Sequence, residues 1–230
     1  MIISHRHKFI FLKTNKTAGT SVEIALSRVC GPEDVITPVS PEDELTRNEC
    51  GGRGPQHYVA PFWQYRWKDA TRLVAEGRKK YRFRNHLQAR QVRARIGEAV
   101  WDSYFKFCIE RNPWDRVISL YYWHYPSEPR PAVSEFVHSE EPLDLKRAGF
   151  ELYTIDGTLA VNKVCRFERL ADELEDIRTK LGIAETLELP RAKSRFRSDK
   201  RSYREILTDT DRRKIAEVFA PEIEMMGYEF

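Results

Sequence analysis

No apolar run in the 230-residue chain approaches the ~20 residues that a membrane-spanning helix needs. The opening MIISHRHKFIFL is too short in its apolar part for a secretory signal, so the sequence reads as a soluble, cytoplasmic protein with no membrane segment. Cysteine is scarce. Cys30, Cys50, Cys108 and Cys165 form no C-x-x-C pair and no zinc-type spacing with histidine, which leaves four reduced thiols and no metal. The nucleotide-triphosphate loop G-x-x-x-x-G-K-[ST] is also missing, because Lys16 precedes Gly19 and has no glycine five residues before it. That disfavours use of ATP or GTP. There is no internal repeat or low-complexity tract, and the length fits one α/β domain over residues 1–230.

What the chain does have is FIFLKTNKTAGTS, residues 9–21, where a buried-strand pattern stops at a small, polar loop and a helix begins. Thr17, Ala18, Gly19, Thr20 and Ser21 are small enough for backbone amides to approach an anion. Val22, Ala25, Leu26 and Val29 then recur at helical spacing, so the unpaired amides and positive dipole end of the first turn face that loop. Lys16 adds a full charge. Taken alone, such a string reads equally well as a strand, loop and helix with a solvent-facing lysine.

A second stretch of the same kind lies at 105–124, FKFCIERNPWDRVISLYYWH, with Pro113 suited to a first helical position. Trp114, Val117, Ile118, Tyr121 and Tyr125 mark its apolar face, which leaves Arg116 and Ser119 on a more polar one. Arg111, through its planar fork of donors, and Ser119, through its hydroxyl, make a chemically sensible clamp for one phosphate.

Two such loops, KTAGTS and RNPWDRVIS, resemble those of the sulfotransferases that use 3′-phosphoadenosine-5′-phosphosulfate. The segments NHLQARQVRARIG, YFKF, YTIDGTLAVNKVCRFERL and the closing GYEF are similar to the carbohydrate-type and bacterial branch that includes the heparan sulfate 2-O-sulfotransferases. The resemblance spares residues 31–80. It implies a P-loop-like three-layer α/β fold and transfer of a sulfuryl group to an acceptor hydroxyl, on a sugar or glycan, with adenosine 3′,5′-bisphosphate as product and no metal required. Lys16, Thr17, Ala18, Gly19, Thr20 and Ser21 would then hold the phosphosulfate, and Arg111 and Ser119 the 3′-phosphate. In the family a basic loop near the C-terminus closes over the nucleotide, which points to Arg195 and Arg197. Asn15 stands where many members carry proline. Glu110 puts a carboxylate beside Arg111, where it would either orient the guanidinium or partly neutralise it, so an effect on 3′-phosphate affinity is expected.

Transfer needs a base for the acceptor hydroxyl, and His86 is the choice: it follows a basic segment, opens a helix read over 86–97 and matches the family's upstream histidine. His57 and His124 have weaker contexts, the latter at the end of an apolar helix. Strand patterns at 8–12, 105–109 and 164–167 alternate with helical ones at 19–29, 86–97, 113–125 and 170–181, which predicts a parallel sheet. Leu170, Leu174, Ile177 and Leu181 form a stripe ended by Gly182, and Thr208 with Asp211 can cap the last helix.

Residues 31–61, rich in proline and glycine, read as loop, within an insert over 31–80 that shapes the acceptor site. The aromatic-rich stretch from Tyr58 to Trp67 reads as core. Basic residues crowd 72–95 and 191–204, where each segment carries a single acidic residue. Those runs, with the aromatic stretch, sustain a noncatalytic nucleotide or polyanion binder as one alternative; the other, a kinase-like nucleotide enzyme, is disfavoured by the missing triphosphate-loop spacing. Nucleic acid is not the expected partner.

Overall fold

The computed structural model describes residues 1–147, 149–190, 199 and 201–230. Its strands are β1 (Ile2–Ser4), β2 (Phe9–Phe11), β3 (Val35–Ile36), β4 (Phe105–Glu110), β5 (Thr154–Ile155), β6 (Thr158–Leu159) and β7 (Lys163–Arg166). The helices α1 (Gly19–Ser27), α2 (Pro41–Glu49), α3 (Trp67–Glu76), α4 (Ala89–Ile96), α5 (Glu98–Ser103) and α6 (Pro113–His124) occupy the first part. They are followed by α7 (Val133–His138), α8 (Leu143–Arg147), α9 (Leu170–Lys180), α10 (Tyr203–Ile206), α11 (Asp209–Val218) and α12 (Ala220–Met226).

A five-stranded sheet in the order β3-β1-β2-β4-β7 organises them. β2, β4 and β7 run parallel, and β1 runs against both β2 and β3, so β1 alone points the other way and the sheet is mostly parallel. Successive residues of a strand face opposite sides. Ile2, Phe9, Phe11, Phe107, Ile109 and Cys165 therefore pack on one side against Val22, Leu26 and Val29 near α1 and Leu174 and Ile177 of α9. Ile3, Ile10, Leu12 and Cys108 pack on the other against Phe83, Leu87, Val92, Trp101 and Tyr153. Helices thus flank both faces. A third cluster joins Trp114, Val117 and Tyr121 of α6 to Phe136 of α7 and Ile215 of α11, next to Phe219.

The three expected strands and the helices after them form, with Gly182 at positive φ beyond α9 and Thr208 capping α11 through the Asp211 amide. Two readings need correction. Residues 31–61 are not all loop: β3 closes one edge of the sheet, and α2 packs on α1. Pro41 reads as a breaker but sits at the start of α2, where no amide hydrogen is needed, behind Ser40, whose side chain accepts from the Asp43 amide. The aromatic stretch is not core either, since Phe62, Trp63 and Trp67 are largely exposed. No helix among the described residues is long and apolar enough to cross a membrane. All four cysteines are unpaired thiols, and burial pushes that of Cys165 up to about 12.

Candidate functional site

β2 delivers the chain into the loop Leu12–Ala18, and α1 opens at Gly19. Lys16 and Ala18 both hold positive φ, 61° and 58°, a strained choice for residues with a Cβ that folds the loop tightly over the helix end. Gly19 is required by contact, because a Cβ there would come within 2.8 Å of Lys13 Cγ. Ala18 has no side chain able to cap α1. The first amide to find a carbonyl within that turn is that of Val22, on Ala18 at 3.2 Å, which sets the amides of Gly19, Thr20 and Ser21 ahead of it at the positive end of the helix.

The loop is tied down from four directions. The Thr14 hydroxyl donates to the Ile109 carbonyl of β4, and Thr14 Oγ1 and Thr17 Oγ1 lie 2.7 Å apart. Arg116 Nε donates to the Asn15 carbonyl at 2.9 Å, Arg111 Nη1 to the Lys16 carbonyl at 3.1 Å, and His86 Nδ1 to the Lys13 carbonyl at 3.0 Å. The Thr17 hydroxyl is thus turned inward, and its backbone amide is what it can offer an anion. Lys13 itself is buried against Glu23, Nζ to Oε2 at 2.7 Å.

At the end of β4 the sequence assignment of charges changes. Arg116 is fully buried rather than on the polar face, because Glu110 Oε1 takes its Nη1 at 2.7 Å and the Tyr153 hydroxyl satisfies Glu110 Oε2 at 2.9 Å. Glu110 accepts from the Arg111 backbone amide at 3.0 Å. The carboxylate that meets the Arg111 guanidinium is Asp115, through Nε at 2.9 Å and Nη2 at 2.6 Å. The same guanidinium stacks 4.1 Å from the centroid of Phe167. Arg111, Asp115 and Ser119, four residues apart, share one partly exposed face.

His86 lies in a turn at positive φ, two residues before Gln88, the cap of α4, rather than inside the helix. A carbonyl only accepts, so Nδ1 carries the hydrogen and the neutral ring keeps its lone pair on Nε2. Burial, with the Lys13 ammonium close by, lowers its pKa to about 4. His124, set aside on sequence grounds, belongs to the same cavity wall. Its Nδ1 lies 2.6 Å from Glu141 Oε2, and the Tyr125 hydroxyl donates to Glu141 Oε1; these bonds hold the Glu141 carboxyl below its ordinary range.

Every described candidate lines one cavity of about 640 Å³: Lys16 to Ser21, His86, Arg111 and Ser119. Trp123 joins them, its ring centroid 5.2 Å from Lys16 Nζ. Arg195 and Arg197 lie outside the described residues. No residue of 31–80 contributes to the described wall. No cluster of three His, Cys, Asp or Glu side chains among the described residues is arranged to hold a metal ion.

Residues 1–142 match the sulfotransferase family. The chain belongs to that family. Its general chemistry is therefore that of a transferase acting on sulfuryl groups and an acceptor hydroxyl, and the matched span contains both loops and both cavity histidines. An uncharacterized protein of Archaeoglobus fulgidus is 31% identical to this sulfotransferase over 108 residues, 45% of this chain and 88% of its own length. No solved structure matches this chain.

Proposed function

We propose that the protein moves a sulfuryl group from 3′-phosphoadenosine-5′-phosphosulfate to an acceptor hydroxyl on a carbohydrate. The observation that carries this reading is the convergence of two anion-binding loops and a neutral histidine on one cavity of about 640 Å³, within the range of small-molecule and cofactor sites. The cradle fits the donor. The Gly19–Ser21 amides and Lys16 suit a phosphosulfate, and the shared face of Arg111 and Ser119 suits a separate 3′-phosphate, in a P-loop-like arrangement of strand, loop and helix.

When bound, the donor supplies an activated sulfuryl group and a phosphate leaving group. Lys16 and the loop amides, fixed before reaction, stabilise negative charge that develops across the transferring group and the leaving oxygen. His86 takes the acceptor hydroxyl proton on Nε2 as the new oxygen–sulfur bond forms. Its low pKa keeps the ring unprotonated at neutral pH, and an anionic donor nearby strengthens it as a base. Residues 31–80 supply no described wall of the cavity, so we assign their part in acceptor choice to its approach. No metal is assigned to the reaction.

Calorimetric titration with adenosine 3′,5′-bisphosphate, beside adenosine 5′-monophosphate and ATP, tests the donor site. Tight binding that needs both phosphates and is lost in Arg111→Ala is the expected result. Magnesium-dependent ATP consumption would favour a kinase-like enzyme. Polymer binding without competition by the bisphosphate would favour a noncatalytic polyanion binder.

A further inference from the structure

α3 leaves an apolar stripe in water. A surface helix ordinarily turns its apolar stripe to the core and its charges to water. Here Trp67 and Val74, at 84% and 88% exposure, stand outward on one stripe with exposed Ala70, while Asp69 and Leu73 are half-buried on the other side. Asp69 accepts from Lys80 Nζ at 2.6 Å and from the Arg66 amide at 3.0 Å, which holds the Asp69 and Leu73 side toward the protein and leaves the Trp67–Val74 stripe outward. The short turn before the helix, Phe62–Gln64, adds Phe62 and Trp63 at 76% and 85% exposure. Four large apolar side chains exposed in so short a stretch make a patch that a monomer rarely leaves bare.

Charge selects the occupant. Residues 62–84 carry eight basic side chains, Arg66, Lys68, Arg72, Arg78, Lys79, Lys80, Arg82 and Arg84, against Asp69 and Glu76. That excess is larger than the +4 of the whole chain, which makes this segment, with the basic run at 191–204, one of two places where the protein's positive charge is concentrated, and the one that lies beside exposed rings. A second copy would bring the same charge to the same face and be repelled. A nucleic acid answers the charge and the rings but leaves the aliphatic edge from Ala70 to Val74 in water.

We propose that α3 and the Phe62–Gln64 turn seat the protein on an anionic lipid surface. The tryptophan rings settle among the headgroups, the Ala70 and Val74 edge meets the acyl boundary, and Lys68, Arg72 and Lys79 pair with headgroup phosphates. The attachment is peripheral and salt-sensitive, and it stands independently of the donor site.

Sedimentation of the full chain with vesicles tests it, using phosphatidylcholine alone or mixed in equal parts with phosphatidylglycerol. The wild type is expected to sediment with the mixed vesicles only, less so as salt rises. Trp63→Ser with Trp67→Ser, and separately Arg72→Glu with Lys79→Glu, are expected to weaken partitioning by about tenfold or more. All four positions are exposed, and unchanged thermal melting certifies the fold of each variant. Equal or absent binding to the two vesicle types overturns the proposal, as does undiminished binding by the tryptophan variant. So does a dimer that the tryptophan substitutions dissolve, or a single-stranded oligonucleotide that displaces the vesicles.

Discussion

The two loops that meet in the cavity solve the same electrostatic problem with different materials. The first works with backbone: left-handed Lys16 and Ala18, a glycine that tolerates no Cβ, and helix-opening amides. The second works with side chains, and each of its arginines is partnered by a carboxylate, Arg116 by Glu110 and Arg111 by Asp115. A backbone cradle leaves a trace in residue size and spacing. A charge-pair cradle depends on which acid turns toward which base, and that is decided by packing. The loops are also unequal in dependence, because Arg116 and Arg111 of the second each hold a carbonyl of the first.

The sharpest way to break the comparison is Arg116→Ala. It strands the Glu110 carboxylate in a buried site and releases the Asn15 carbonyl, so a loss of about 3–5 kcal/mol is expected, visible as a fall of about 10 °C in Tm. Bisphosphate binding should fall with it, although Arg116 is not itself part of the cavity wall. Glu110→Gln with Arg116→Met removes both charges and keeps an acceptor for the Tyr153 hydroxyl, and it should cost less than the single change. Equal losses from both would mean that the pair's charge is irrelevant to the tie.

Lys16→Ala tests the first loop from the other side. The side chain is partly exposed, so Tm should change little while release of bisphosphate from the donor slows about 10²–10³-fold. Retained turnover would remove the Lys16 ammonium from the chemistry and leave charge stabilisation to the loop amides.

His86 links the loops to pH. Its folded pKa of about 4 lies below the ordinary 6.5, so between those values the unfolded chain takes up a proton that the folded one refuses. Stability therefore falls as pH drops through that window, by up to about 3 kcal/mol, and levels off below it. His86→Gln, which keeps a donor for the Lys13 carbonyl, should flatten this slope in denaturation measured from neutral pH down to about 4. It should also slow transfer. If transfer survives in His86→Gln and is lost in His124→Gln, the proton goes to the histidine that Glu141 orients.

How much of this was legible follows from the same contrast. The parallel strands and the KTAGTS loop announce themselves because apolar runs and small residues act locally. The burial of Arg116 does not, since a charged residue on a helix reads as surface until Glu110 and Tyr153 converge on it from β4 and from beyond α8. His124 was passed over because its partner, Glu141, is set by tertiary packing of the chain after α7. Two misses were avoidable. Ser40-Pro41 followed by three acids is a helix start, and Asp156-Gly157, both at positive φ, is the tight turn that joins β5 to β6.

The smallest effect sharpens the comparison most. Asp115 aims Arg111 but also cancels part of the charge that the guanidinium presents to a phosphate. Asp115→Asn keeps one acceptor oxygen and removes the negative charge. Aim then rests on the Lys16 carbonyl at 3.1 Å and the stack on Phe167, both outside the substituted residue, so the gain in field should exceed the loss in order. For a partly exposed pair this amounts to about 0.5–1 kcal/mol, or a roughly threefold tightening of bisphosphate binding with a steeper salt dependence. Weaker binding instead would make Asp115 the principal aiming device. Phe167→Ala separates the two cases: where the stack does the aiming, its removal costs more affinity in the Asp115→Asn background than in the wild type.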